Sequence, residues 1–174
     1  MFRLRSALVL LCGLALLATA CSSGDTKVLN LAKAAASIRA LAVRAYGSEA
    51  KVGGVKCPRE VVQQQGSVFT CTVAIDGQPL LIEVRQNDNK GNVRINQAQA
   101  VIFTKKAEEA VASFAAQGGS PTSSVSCGVH TVATRSPGEY FSCTVEYVDG
   151  TAGIARLQVK DTNGKVGIQK LQHT

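Results

Sequence analysis

The chain has 174 residues, a formal charge of +7 and 45% hydrophobic residues, a globular composition whose length suits one domain or two small ones. Five Phe, three Tyr and no Trp leave little material for an aromatic ligand cage or a base-stacking platform. The basic residues are scattered and no nucleic-acid docking motif occurs, so the charge supports only weak attraction to anionic lipid or cell-wall polyanion.

Residues 1–20 have the form of an export leader. Arg3 and Arg5 make a basic start, and the apolar run from Ala7 to Ala18 is too short for a comfortable membrane span. Ala18-Thr19-Ala20 then precede Cys21. The run LATAC resembles a bacterial lipobox, which implies acylation of Cys21 as a new N-terminus. It departs from that pattern at Ala18, where a branched aliphatic residue is usual, and leader cleavage with free secretion is the alternative. Loss of Cys12 with the leader leaves Cys21, Cys57, Cys71, Cys127 and Cys143. In an exported chain that odd number leaves a free thiol unless lipid occupies Cys21. The expected organisation is therefore a leader (1–20), a tether (21–25) and a lipid anchor on the outer face of the cell membrane. Without Arg3 and Arg5, 17 basic and 12 acidic side chains remain, a net charge of +5.

A first helix is expected over residues 25–46. Asp25 or Thr26 would cap it, Val28, Leu31, Ala35, Ile38, Ala42 and Ala45 would share a face, and Gly47 would stop it. Residues 59–66 carry no clear period, and their later counterpart, 129–138, is more strand-like. From Phe69 the alternation of Phe69, Cys71, Val73 and Ile75 with Thr70, Thr72 and Ala74 predicts a half-buried strand. Asp76-Gly77 is a hairpin turn signal. Leu80, Ile82 and Val84 continue the buried phase, Asp88 to Gly91 turns, and Val93 and Ile95 begin a third strand. A second helix starts at Thr104 with Ala107, Ala110, Val111 and Phe114 on one face, and Gly118-Gly119 stops it.

The plan then repeats. FTCTVAIDG at Phe69–Gly77 returns as FSCTVEYVDG at Phe141–Gly150, and the Asp88–Val93 turn returns as Asp161–Val166. The second copy has one extra residue before its Asp149-Gly150, for which a β-bulge near Tyr147-Val148 is expected. A fixed period favours two units, 26–103 and 104–174, each small enough to need a staple. One cysteine pair falls in each copy, Cys57 with Cys71 and Cys127 with Cys143, and an oxidising compartment makes disulfides the natural reading. The C-x(2–4)-C spacing of a zinc site is absent. The expected fold is α+β: two tandem units, each a helix on an antiparallel three- or four-stranded sheet with one disulfide.

No catalytic constellation emerges. Pairing Cys127 with His130 as nucleophile and base would need a free thiol, His173 sits beside the C-terminus, and Glu108 and Glu109 read as a solvated helix face. NDNKGN and DTNG gather oxygen donors near a glycine but lack the later Glu of a calcium loop, so they read as turns stabilised by Asp and Asn. No phosphate-cradling or dinucleotide motif appears. No cofactor and no metal are expected. The remaining candidates are the outer sheet faces: Thr70, Thr72, Glu83, Arg85, Arg94 and Asn96 in the first unit, and Ser142, Thr144, Glu146, Arg156, Gln158 and Lys160 in the second.

Val55-Lys56-Cys57-Pro58, Phe69–Val73 and Asp88–Val93, with Phe141–Val145 and Asp161–Val166 in the second copy, resemble the actinobacterial family called domain of unknown function 4333. That resemblance implies an envelope location and this architecture, and it brings no activity. A looser, architectural similarity is to the β-lactamase inhibitory proteins. The functional expectation is a non-enzymatic envelope lipoprotein whose modules bind an envelope protein or cell-wall polymer; the alternative is an inhibitor or regulator of an exported enzyme.

Overall fold

The structure is a computed structural model that describes residues 27–173. The leader, the tether and Cys21 therefore lie outside the described residues. Among the described residues, two helices and ten strands follow one another as two passes through the same plan.

In the first pass, α1 (Leu31–Tyr46) precedes β1 (Val52–Lys56), β2 (Val68–Ile75), β3 (Gln78–Gln86) and β4 (Val93–Gln97), which form an antiparallel sheet in that order. In the second, β5 (Ala100–Phe103) and α2 (Thr104–Gln117) precede β6 (Thr122–Ser126), β7 (Val132–Arg135), β8 (Tyr140–Tyr147), β9 (Ala152–Val159) and β10 (Val166–His173). Strands β10, β9, β8 and β6 form the second four-stranded sheet, and β5 pairs with β7 as a separate ribbon. The α+β expectation with antiparallel sheets and one disulfide per unit is met.

The helix faces repeat at one interval. Ala34, Ile38 and Ala42 are buried on α1, and Ala107, Val111 and Ala115, each 73 positions later, are buried on α2. Small residues at four-residue steps let each helix lie close to its sheet. Phe114 and Ala110, expected on the buried face of α2, point outward instead, because Ala115 takes the seat beside Val111.

Helix α1 also begins later than expected. Asn30, not Asp25 or Thr26, is its N-cap, with its side-chain oxygen accepting from the Lys33 amide at 3.0 Å. Lys27–Leu29 is extended and bridges the 59–66 segment through Val28 opposite Val62. Leu29 N donates to Val61 O, and Gln63 N donates to Lys27 O. This short ribbon is the first-unit counterpart of β5–β7. The ambiguous segment is thus tied down by backbone pairing and by Gln86, whose buried amide donates to Val62 O and accepts from the Gln64 amide.

Both disulfides join directly opposed residues. The β1/β2 register ends at Lys56 opposite Thr72, which sets Cys57 against Cys71 one step further on. Likewise β6/β8 ends at Ser126 opposite Thr144, which sets Cys127 against Cys143. Their Cα separations, 4.3 and 4.1 Å, suit close antiparallel neighbours. Each bond closes the open end of a sheet's first strand pair over buried Cys71 or Cys143.

The extra residue of the second copy is in the turn. The β8/β9 register runs unbroken from Tyr140 opposite Gln158 to Glu146 opposite Ala152, so the expected bulge is absent from β8. Tyr147–Thr151 closes instead as a longer turn with Gly150 at φ 83°, where the first copy needs only Asp76-Gly77. A left-handed glycine ends the longer loop at low cost. Irregular register occurs elsewhere, in β1 between Val52 and Val55 and in β6 between Thr122 and Ser124.

The two cores meet at the β5–β7 ribbon. Val132, of the second unit by sequence, and Val101, on the strand that pairs with it, are buried with Ile38, Val73, Ile75 and Leu80 of the first. Ala100 and Ile102 point the other way, into the core of α2, β8 and β9. Alternation along one strand therefore serves both units.

Two variants probe this framework. Replacing Cys57 and Cys71 together with Ala should destabilise the protein by about 2–5 kcal/mol, read as a lower midpoint in urea. Gly164→Ala should cost about 1–3 kcal/mol, because Gly164 has φ 85° and an added Cβ would fall 2.5 Å from the Val101 carbonyl oxygen. An unchanged midpoint for either would contradict these placements.

Candidate functional site

The polar sheet faces are assembled as the alternation requires. Thr70 lies opposite Glu83, Glu83 opposite Asn96, and Arg85 opposite Arg94. In the second unit Ser142 faces Arg156, and Arg156 lies over the Tyr140 ring at 4.3 Å. These residues are exposed or half-buried, and none of them lines the clefts described below.

The turns use their carboxylates on themselves. Asp88 accepts from the Asn92 side chain at 2.6 Å, the Lys90 amide at 2.8 Å and the Asn92 amide at 3.1 Å. These bonds, the Asn92 side chain first, hold its carboxyl below the ordinary carboxylate range. Asp161 accepts in the same way from the Asn163 and Lys165 amides. Among the described residues no group of three or more His, Cys, Asp or Glu side chains is placed to hold a metal.

Other polar residues prove structural. Glu108 is half-buried and accepts from the Cys127 amide at 2.9 Å, so it braces the second disulfide segment while Glu109 faces solvent. His130 is exposed, with its carbonyl oxygen accepting from Thr104 Oγ1, and Cys127 is bonded to Cys143. Asp76 sits in the β2–β3 turn, as its Asp-Gly pair predicts. Its carboxylate also accepts from the Lys51 amide and from Thr131 Oγ1, joining the residue ahead of β1 to the second unit.

Among the concave features is a groove that the sequence pattern did not mark. Helix α1 lies over the β1–β2 side of its sheet, and the β3–β4 side stays partly open. Between them runs a groove of about 320 Å³, walled by Leu41 and Ala45 of α1 and by Ile95 of β4, with Leu80 and Ile82 as its floor. Leu41 is 46% exposed along its rim. The volume is at the small end of those that hold small ligands. Tyr46 and Gln97 close one end, with Tyr46 Oη donating to Gln97 Oε1 at 2.7 Å. Gln97 Nε2 donates onward to the carbonyls of Gln99 and Thr162, which fixes this end to the β9–β10 turn. Beyond Ile95 a second, more polar cleft continues along α1 past Lys33, Lys90 and Asn92.

The second unit has a cleft of about 430 Å³ at the corresponding place, lined by Phe114, Ala115, Gln117, Gly118 and Leu171 without a cation, and its sheet differs beneath. Gly153 and Ala155 stand where Leu80 and Ile82 do, and the Tyr147 ring lies against Gly153. Two signals were available in the sequence: an exposed-phase Leu41 on an Ala-rich helix, and the loss of bulk from Leu80/Ile82 to Gly153/Ala155.

Residues 14–91 match the model of a family described as Domain of unknown function (DUF4333). The match takes in Cys21, the first disulfide and the Asp88–Gly91 turn, and covers less than half of the chain. No curated protein matches the chain, and no solved structure matches it.

Burial raises the Tyr46 phenol above its ordinary value of 10.0, against a smaller opposite effect of the Gln97 hydrogen bond. Tyr46 thus contributes stability that is complete below pH 10 and is lost as pH rises through its higher folded value. An ultraviolet difference titration of the protein against Tyr46→Phe should show one tyrosine ionising later than a free phenol. Its ionisation at or below the ordinary value would contradict the closed groove end.

Proposed function

We propose that this protein is a non-enzymatic, lipid-anchored envelope protein that holds an amphiphile, an apolar chain with an anionic headgroup, in the groove beside α1. The observation that carries the reading is the groove's make-up. An apolar trough formed by Leu41, Leu80, Ile82 and Ile95 is flanked by Arg44, and Lys33 and Lys90 line the cleft beyond it. Burial of an apolar chain supplies the affinity and the cations orient the head.

The anchor is Cys21, acylated after removal of residues 1–20, and it holds the chain at the outer face of the cell membrane. The two units are tandem copies of the DUF4333 module. In support, both run through ribbon, helix, first strand, disulfide and hairpin in the same order. On this reading the unit boundary falls between Gln99 and Ala100, just ahead of β5, since β5 pairs with β7 as Lys27–Leu29 pairs with Val61–Gln63.

Two measurements test the reading separately. Metabolic labelling with a palmitate analogue should mark the wild type and not Cys21→Ala; label that survives the substitution removes the anchor. A dansyl-labelled fatty acid should bind at least tenfold more weakly to Leu41→Glu, which places a charge on an exposed rim position. Equal binding by both proteins would exclude the groove as its seat.

A further inference from the structure

The joint between the two units is built from two dissimilar surfaces, and each recurs at the opposite end of the molecule. One surface is the β5–β7 ribbon. The other is the end of the first unit formed by the C-terminus of α1 and the β2–β3 hairpin. Val101 and Val132 of the ribbon are buried there, and Phe103 tilts against Tyr46 with ring centroids 6.5 Å apart. Thr131 Oγ1 donates to Asp76 Oδ2 and Thr134 Oγ1 to Pro79 O, each at 2.9 Å, and Lys106 pairs with Glu49.

The ribbon's counterpart is Lys27–Leu29 with Val61–Gln63. By register, Val28 stands where Val101 does and Val62 where Thr134 does. Val28 is 49% and Val62 44% exposed, whereas Val101 is 4% exposed. The hairpin end's counterpart is the C-terminus of α2 with the β8–β9 turn. There Pro121, Tyr147, Val148 and Asp149 line an open cleft of about 330 Å³, and Val148 is 67% exposed. In sequence Asp149 occupies the Asp-Gly position of Asp76, with its Oδ1 accepting from Thr151 N and Oγ1, and by register Arg59 occupies the ribbon position of Thr131. The hydrogen bond of the internal joint thus has a potential ion pair as its external equivalent.

We propose that a second copy of this chain docks head to tail, the Val28–Val62 ribbon of one copy seating on the α2/β8–β9 end of the next. The surfaces differ, so the contact does not close on itself and the assembly extends beyond two. Asn30 and Glu60 replace Phe103 and Val132 on the outer ribbon, the polar substitution expected of a terminal repeat. The association is therefore weaker than the internal joint, and it is sensitive to salt through Arg59 and Asp149. This inference stands independently of the groove and its ligand.

Sedimentation velocity over a wide concentration range tests it, using the full chain with Cys21→Ala so that acylation does not drive association. The expected result is a sedimentation coefficient that rises with concentration past the dimer. Arg59→Asp or Asp149→Arg alone should weaken association roughly tenfold, about 1.4 kcal/mol. An equimolar mixture of the two single variants should regain association past the dimer, because alternating copies place opposite charges at every joint. Val62→Glu gives a second disruption that leaves the Asp149 turn intact. A monomer at every concentration, or single variants and Val62→Glu that associate as wild type does, would overturn the proposal.

Discussion

Burial of Val101 and Val132 in the core of the first unit holds the two units together. Each unit has too few residues for a generous core of its own. One ribbon of the second unit therefore closes the first, with inward residues alternating between the two cores. Full burial of a valine contributes about 1.5–3 kcal/mol, comparable with one disulfide's effect, so these two side chains weigh as much as a staple. The hydrogen bonds from Thr131 and Thr134 then fix the ribbon's register on the β2–β3 hairpin.

That arrangement explains why the disulfides sit where they do. Cys57–Cys71 and Cys127–Cys143 fasten the far edge of each sheet, at β1/β2 and β6/β8, while the first unit's hairpin end is fastened by packing. The F-x-C-T-V repeat is accordingly framework. Its Cys and Val are buried, and the Thr72 and Thr144 positions lie on the opposite face.

Much of this was legible in the sequence because it rests on short periods. The two-residue alternation of Phe69–Ile75 and Phe141–Tyr147, the Asp-Gly turns and the cysteine pairs all act locally. What was not legible depends on contacts made across the chain. Strand β1 was hidden by Gly53-Gly54, which have no side chains to show a period, although Gly53 is wanted for its close approach to Ala74. The start of α1 was placed six residues early because Val28 fits a helical face, yet its backbone pairs with the 59–66 segment. Gln86 continues the buried phase of Leu80, Ile82 and Val84, and its burial follows from that phase even though its partners lie in an irregular segment. The groove was the hardest to foresee, since it arises from where α1 lies on the sheet and not from any one residue.

Through the ribbon contacts the second unit completes the first. Native-state hydrogen exchange on Val132→Ala measures this directly. The substitution should lower protection at Val73 and Ile75, in the other unit's sheet, as much as it does in β7 itself. Loss of protection confined to β5, β7 and their neighbours, with Val73 and Ile75 as slow to exchange as in the wild type, would contradict it.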